Sequence, residues 1–138
     1  MITASNIHFT SDRIITVQQF IEILERSTLA SRRPVDDVER IAKMLKHANL
    51  IVTAWDKELL VGVSRALTDF SYCTYLSDIA VDKSYQRQGI GKNLINETHR
   101  IAGHQTSLIL LSAPDAMDYY PYIGMKKIDN GYIIKRSN

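Results

Sequence analysis

Between Tyr85 and Asn93 the chain reads Tyr-Gln-Arg-Gln-Gly-Ile-Gly-Lys-Asn, with two glycines among cations where a helix should begin. The first N–H groups of a helix lack internal partners and its dipole favours negative charge there. Ser, Thr, Asp or Asn caps and early carboxylates are the usual remedy. This stretch holds no acid, and its charges, Arg87 and Lys92 with Lys83 nearby, have the wrong sign for a self-capped helix. Glycine inside a helix costs about 1 kcal/mol relative to alanine. Gly89 and Gly91 therefore point to an anion from outside, since missing Cβ atoms let a ligand reach the bare N–H groups of a strand-loop-helix junction. A tight turn with glycines placed for packing is the commoner explanation of an isolated G-x-G. Two familiar phosphate loops fail on their letters. No third glycine completes G-x-G-x-x-G, and a Walker A loop would need Gly where Gln86 stands and Ser or Thr where Asn93 stands.

The elements around this loop come from apolar periodicity. With 138 residues, 45% hydrophobic and 23% charged, residues 1–138 read as one domain with a sizeable core. A short strand is expected around Ile7 to Phe9. Thr16 and Gln19 form a T-x-x-Q capping box for a first helix with Val17, Phe20, Ile21 and Leu24 on one face. After the Ser31 to Pro34 turn, Asp36 and Glu39 start a second helix with Val38, Ile41, Ala42 and Leu45 in its stripe. Three strand-like runs, Leu50–Trp55, Leu59–Leu67 and Tyr72–Val81, are joined by short turns and imply an antiparallel meander. A third helix runs to Ala102 with Ile90, Leu94 and Ile101 inward and Gly103 as its cap. Ser107–Ser112 is too apolar for an exposed edge strand, so it should pair in parallel with the Leu76–Val81 strand through that helical crossover. A helix around Asp115 to Tyr120 follows, then strands Met125–Ile128 and Tyr132–Lys135 about an Asn130-Gly131 turn. The expected fold is α+β with three α/β/α layers around a mixed, mostly antiparallel sheet containing one parallel strand pair.

Composition narrows the function classes. Net charge is +2 and the basic residues are dispersed, which argues against a nucleic-acid binder. No apolar run approaches the roughly 20 residues needed to span a bilayer, so no membrane partner is expected. One cysteine, Cys73, forbids an internal disulfide, and the N-terminus lacks a signal-peptide pattern, so the chain reads as cytoplasmic. His8, His47, His99 and His104 lack metal-ligand spacing, and no metal is implied.

The segment Gln86-Arg87-Gln88-Gly89-Ile90-Gly91 resembles the Gln/Arg-x-x-Gly-x-Gly/Ala signature of the GNAT superfamily of acyl-CoA-dependent N-acetyltransferases. "YLSDIAVDKSYQRQGIGKNLI" looks like that family's fourth strand, pyrophosphate loop and third helix. "AMDYYPYIGMKK" is similar to its A-x-x-[FY]-Y-x-x-x-G-[FM] segment, with Tyr120 at the position often used as general acid. The resemblance spans nearly the whole chain and implies the GNAT fold. It further implies that backbone N–H groups from Arg87 to Lys92 hold a coenzyme A pyrophosphate, while Ile79, Ala80 and Val81 pair with the pantetheine like an added strand. The family's Asn near the end of the fifth strand is replaced at about Ala113, and Pro121 follows the candidate acid.

The implied activity is direct ternary-complex transfer of an acetyl group from acetyl-CoA to a primary amine. Such an amine has a solution pKa of about 10.4, so a base or a desolvating pocket must deprotonate it. Tyr120 would protonate the departing thiolate, or else pack under the sheet as an ordinary aromatic. Asp78 would act as base, directly or through water, or serve as a structural carboxylate. Arg32 and Arg33 are either solvated charges or a clamp for a substrate carboxylate. Cys73 is an acyl acceptor or a buried hydrophobe. Phe70, Tyr72, Tyr75, Tyr119 and Tyr122 are candidates for an acceptor pocket. The rival reading is a non-catalytic acyl-CoA sensor. Oligomeric state is open, with a homodimer the default for such a strand-rich C-terminus.

Overall fold

In the computed structural model, which describes residues 6–137, the first helix begins as its capping box predicts. The Thr16 hydroxyl accepts from the Gln19 N–H at 3.0 Å and the Gln19 Oε1 in turn accepts from the Thr16 N–H at 2.9 Å. Helix α1 covers Val17–Ser27 and α2 covers Val38–His47, capped by Asp37, one residue later than its sequence suggests. Strand β1 is His8–Thr10, β2 Leu50–Asp56, β3 Leu59–Thr68 and β4 Cys73–Val81. A 3-10 turn at Lys83–Tyr85 leads into α3, Ile90–Ala102, which ends at Gly103 with φ of 108°. Strand β5 is Ser107–Leu110 and the short helix α4 is Tyr119–Tyr122.

Strand order equals chain order. β1 to β4 pair antiparallel and β4 pairs with β5 in parallel, giving the expected mixed sheet, although the parallel ladder uses Cys73–Leu76 and not the expected Leu76–Val81 stretch. Helices cover both faces because each face buries its own core. On one side Val52, Ala54 and Val61 pack with Ile90, Leu94 and Ile95 of α3. On the other Trp55, Leu60 and Val63 pack with Phe20, Ile23 and Leu24 of α1 and Ile41 of α2. Gly62 lets α3 approach the sheet closely: a Cβ there would lie 3.1 Å from Leu94 Cδ1 and 3.3 Å from Ile90 Cγ2.

Two expectations fail at the C-terminus. Neither Met125–Ile128 nor Tyr132–Lys135 forms a strand, and β5 is the sheet edge with only half-buried and exposed positions. The Asn-Gly turn needs positive φ at both residues, and neither Asn130 nor Gly131 adopts it. A hairpin without an apolar face to bury is at best marginally stable. Tyr132 and Ile134 are almost fully exposed, so nothing drives the pairing. The helix predicted over Asp115 to Tyr120 divides into a 3-10 turn at Pro114–Ala116 and α4. Pro121 falls in the first turn of α4, where a missing N–H breaks no helical bond.

Among the described residues no helix is long and apolar enough to cross a membrane, and no cluster of His, Cys, Asp or Glu fits a metal ion.

The contact at Gly62 predicts non-additivity. Leu94→Ala should lower stability by about 2–5 kcal/mol in chemical denaturation. Gly62→Ala should destabilise the wild type but recover part of the loss when added to Leu94→Ala, because the new methyl enters the vacated space.

Candidate functional site

The site is built where β4 departs from β5. Their parallel ladder runs from Cys73 opposite Ser107 to Leu76 opposite Leu110 and stops there. At the same point the β3 ladder shifts register: Asp78 faces Arg65 and Leu76 faces Ala66, leaving Ser77 as an unpaired extra residue. Beyond this bulge, Ile79 to Val81 are bound to β3 only. The Asp82 N–H donates to Val61 O on the β3 side at 2.8 Å. Antiparallel alternation therefore turns the polar groups of Ile79 and Val81 to the open side. On that side Val81 O accepts a bond from the Gln86 side chain at 3.1 Å.

The loop after β4 is anchored from below. Asp82 caps the 3-10 turn through Ser84 N–H at 2.8 Å and pairs with Arg26 of α1 at 2.6 Å. Tyr85 is buried and donates to Asp56 Oδ2 at 2.7 Å, and that bond together with burial pushes its hydroxyl pKa up. Arg87 has φ of 65° and Gly89 φ of 82°, two left-handed residues that turn the backbone into α3. For Arg87 this is uncommon and carries strain of order 1–3 kcal/mol, the kind of conformation concentrated in ligand-binding loops. Gln88 Oε1 is buried without a hydrogen-bond partner.

Helix α3 starts at Gly89 with no side-chain cap and no acid in its first turn. A Cβ at Gly89 would meet nothing within 4 Å, so the loop has open space above it. One at Gly91 would lie 2.7 Å from the Tyr119 hydroxyl, whose pKa burial raises and the nearby Lys92 backbone N–H lowers. Lys83, Arg87 and Lys92 are exposed around this end, and none of the three pairs with a carboxylate among the described residues. Helix α4 thus lies against the start of α3. Tyr120, half buried, meets Tyr119 edge to face with ring centroids 5.2 Å apart. Desolvation, helped by Tyr119, holds the Tyr120 hydroxyl above its usual pKa of 10.0.

Asp78 lies in a different setting. Its carboxylate is fully buried, with Oδ1 on Arg33 Nε at 2.5 Å and Oδ2 on Arg65 Nε. Arg33 also donates to Ser77 O at 2.9 Å, and Arg65 to Ser77 Oγ at 2.9 Å and Met44 O at 3.2 Å. Of the alternatives open to Asp78, this arrangement fits the structural carboxylate, though its partners are guanidinium groups and not backbone. Arg33 is neither a solvated charge nor free for a substrate carboxylate. Sequence reasoning missed Arg65, which pairs with Asp78 through a register shift that nothing in the letters announces.

Of the remaining candidates, Cys73, Phe70 and Tyr72 lie away from the cleft. Cys73 is exposed, not buried, and the neighbouring Asp69 carboxylate pushes its thiol up, which depletes the nucleophilic thiolate. Phe70 and Tyr72 are exposed in the β3–β4 turn, at the opposite end of β4 from Val81, and Tyr122 is exposed on α4.

Residues 22–134 match the family described as Acetyltransferase (GNAT) domain. The chain belongs to this family. It is 26% identical over 96 residues to a Gracilaria tenuistipitata var. liui protein named uncharacterized N-acetyltransferase ycf52, covering 67% of this chain and 53% of that one. The chain therefore spans about half the length of that relative. Several solved GNAT structures share the fold. Protein SA2161 of meticillin-resistant Staphylococcus aureus, named a probable acetyltransferase, superposes with a TM-score of 0.75 at 24% identity, over 94% of this chain and 99% of that one. GNAT family protein SP0256 of Streptococcus pneumoniae TIGR4 gives 0.72 at 22%, over 96% and 99%. Aminoglycoside N-acetyltransferase AAC(6')-Iy, solved with CoA, gives 0.68 at 14%, over 96% and 94%.

In this GNAT domain, removing one partner of the Asp78 clamp should be costly. Asp78→Asn leaves Arg65 buried beside a neutral amide, and a loss of about 3–5 kcal/mol is expected in urea denaturation.

Proposed function

We propose that this GNAT domain transfers an acetyl group from acetyl-CoA to a primary amine within a ternary complex. The observation that carries this reading is the parting of β4 from β5 after Leu76, directly beside an α3 start that has no side-chain cap. The residues present fit the cosubstrate: open space over Gly89, first-turn N–H groups, three exposed cations and a free β4 edge. Arg87 to Lys92, with Gln86, Gln88, Gly89, Ile90 and Gly91, would hold the diphosphate through backbone donors, and Ile79 to Val81 would pair with the pantetheine amides. Acetyl-CoA supplies the acyl group and a thiolate leaving group.

The outward N–H groups of Ile79 and Val81 are the donors available to the oxyanion formed when the neutral amine adds to the thioester carbonyl. The carbon–nitrogen bond forms, the carbon–sulfur bond breaks, and Tyr120 gives its proton to the sulfur. The amine's surplus proton passes to solvent. We assign Asp78 the role of holding the β4 bulge in place, so the amine enters already neutral. The acceptor is a primary amine of unspecified type.

The test is a panel of amines with acetyl-CoA, read as acceptor-dependent release of free thiol. Binding of acetyl-CoA without thiol release for any amine would favour the sensor reading. Tyr120→Phe should lower kcat about 100-fold with coenzyme A affinity unchanged. Only the protonated phenol donates, and its pKa is raised. Wild-type activity should therefore persist as pH rises and fall only above 10, the unperturbed tyrosine value. A pH profile whose alkaline limb survives in Tyr120→Phe would remove the residue from the mechanism.

A further inference from the structure

We propose that the Tyr119 hydroxyl plugs the start of α3 in the free protein and must leave before a diphosphate can bind there, moving Tyr120 as it goes. This rests on reading that helix start as the diphosphate site. The Lys92 N–H, one of the donors left over at any helix start, lies close enough to the Tyr119 hydroxyl to oppose the desolvation that raises its pKa. The same oxygen lies 2.7 Å from where a Cβ of Gly91 would be, so it occupies the backbone surface that a phosphate oxygen would need. Gly89, by contrast, faces open space. Half of the cradle is free and half is filled by the protein's own side chain.

The plug is built to yield. Tyr119 is 38% exposed, so its ring has a way out to solvent. Its helix has four residues and ends near Gly124, where φ is 98°, so little structure resists a shift. A neutral hydroxyl is also a weaker partner for N–H groups than a charged phosphate, whose bonds are roughly twice as strong. Because Tyr119 and Tyr120 are in edge-to-face contact, eviction of the first ring repositions the candidate acid. Coenzyme A would then both occupy the site and set Tyr120.

The experiment is calorimetry of wild type and Tyr119→Phe with coenzyme A and with pantetheine, which lacks the diphosphate. The phenylalanine keeps the ring and removes the competing oxygen. Tyr119→Phe should bind coenzyme A about fivefold tighter, the equivalent of one net hydrogen bond, with pantetheine binding unchanged. Equal or weaker coenzyme A binding by the folded variant overturns the plug while leaving the diphosphate site intact. Absence of coenzyme A binding by both proteins overturns the site and the plug together. A second readout uses wild type alone. Nuclear Overhauser contacts between the Lys92 amide and the Tyr119 ring should be present in free protein and lost on saturation with coenzyme A, and their persistence in the complex overturns the proposal.

Discussion

A sheet whose strands pair along their whole length has no room in its plane for a ligand, so the cleft here depends on one surplus residue in β4. Ser77 has no partner in β3, and the β4–β5 ladder ends at Leu76, immediately before it. A bulge bends its strand and strengthens the local twist, which carries the end of β4 away from β5. The same insertion reassigns faces: Leu76 packs in the α3-side core, whereas Ala80 belongs to the core under α1 and α2. It also leaves Ile79 and Val81 with polar groups that no neighbouring strand satisfies.

Such a distortion needs an internal reason to persist, and the arginines supply it. Arg65 comes from β3 and Arg33 from the connection between α1 and α2, and both grip Asp78 and an atom of Ser77. Two separate parts of the chain are thereby fixed to the bulge. Two guanidinium groups against one carboxylate in a buried setting gain little net energy over an apolar substitute. Their value is geometric, because they specify where β4 turns. The opposite face obeys a similar logic. Gly62 brings α3 close to β3, and the Tyr85 and Asp82 anchors fix the loop, so the start of α3 lies next to the free end of β4.

The sheet order, the meander, the parallel crossover and the loop are legible in the letters because each follows from local periodicity or from the sign of charge near a helix end. Thr16 with Gln19 and Gly103 are read correctly for the same reason. What escapes is long-range. Arg65 and Asp78 meet through a register shift, and Arg33 reaches them from 45 residues away. The C-terminal pairing fails although Asn130-Gly131 is a strong turn signal, because a hairpin forms only where there is a face to bury. Tyr119 reads as one of several aromatics suited to an acceptor pocket or the core, and the single-sequence pattern gives no hint that its hydroxyl reaches Gly91.

That last contact resolves a conflict inherent in any helix start kept bare for an external anion. Without ligand, the N–H groups at such an end have no internal acceptor, and leaving them desolvated and unpaired is costly. An Asp cap would satisfy them but would repel the incoming phosphate, and a Ser or Thr cap would place its side chain at the position where Gly89 leaves open space. A phenol held above its ordinary pKa remains uncharged, so it sits beside the Lys92 donor in the free state without opposing an anion. Because it belongs to α4 and not to the loop, its departure transmits the arrival of the ligand to the neighbouring tyrosine. The absence of a side chain at Gly91 is what makes room for the Tyr119 hydroxyl in the free state.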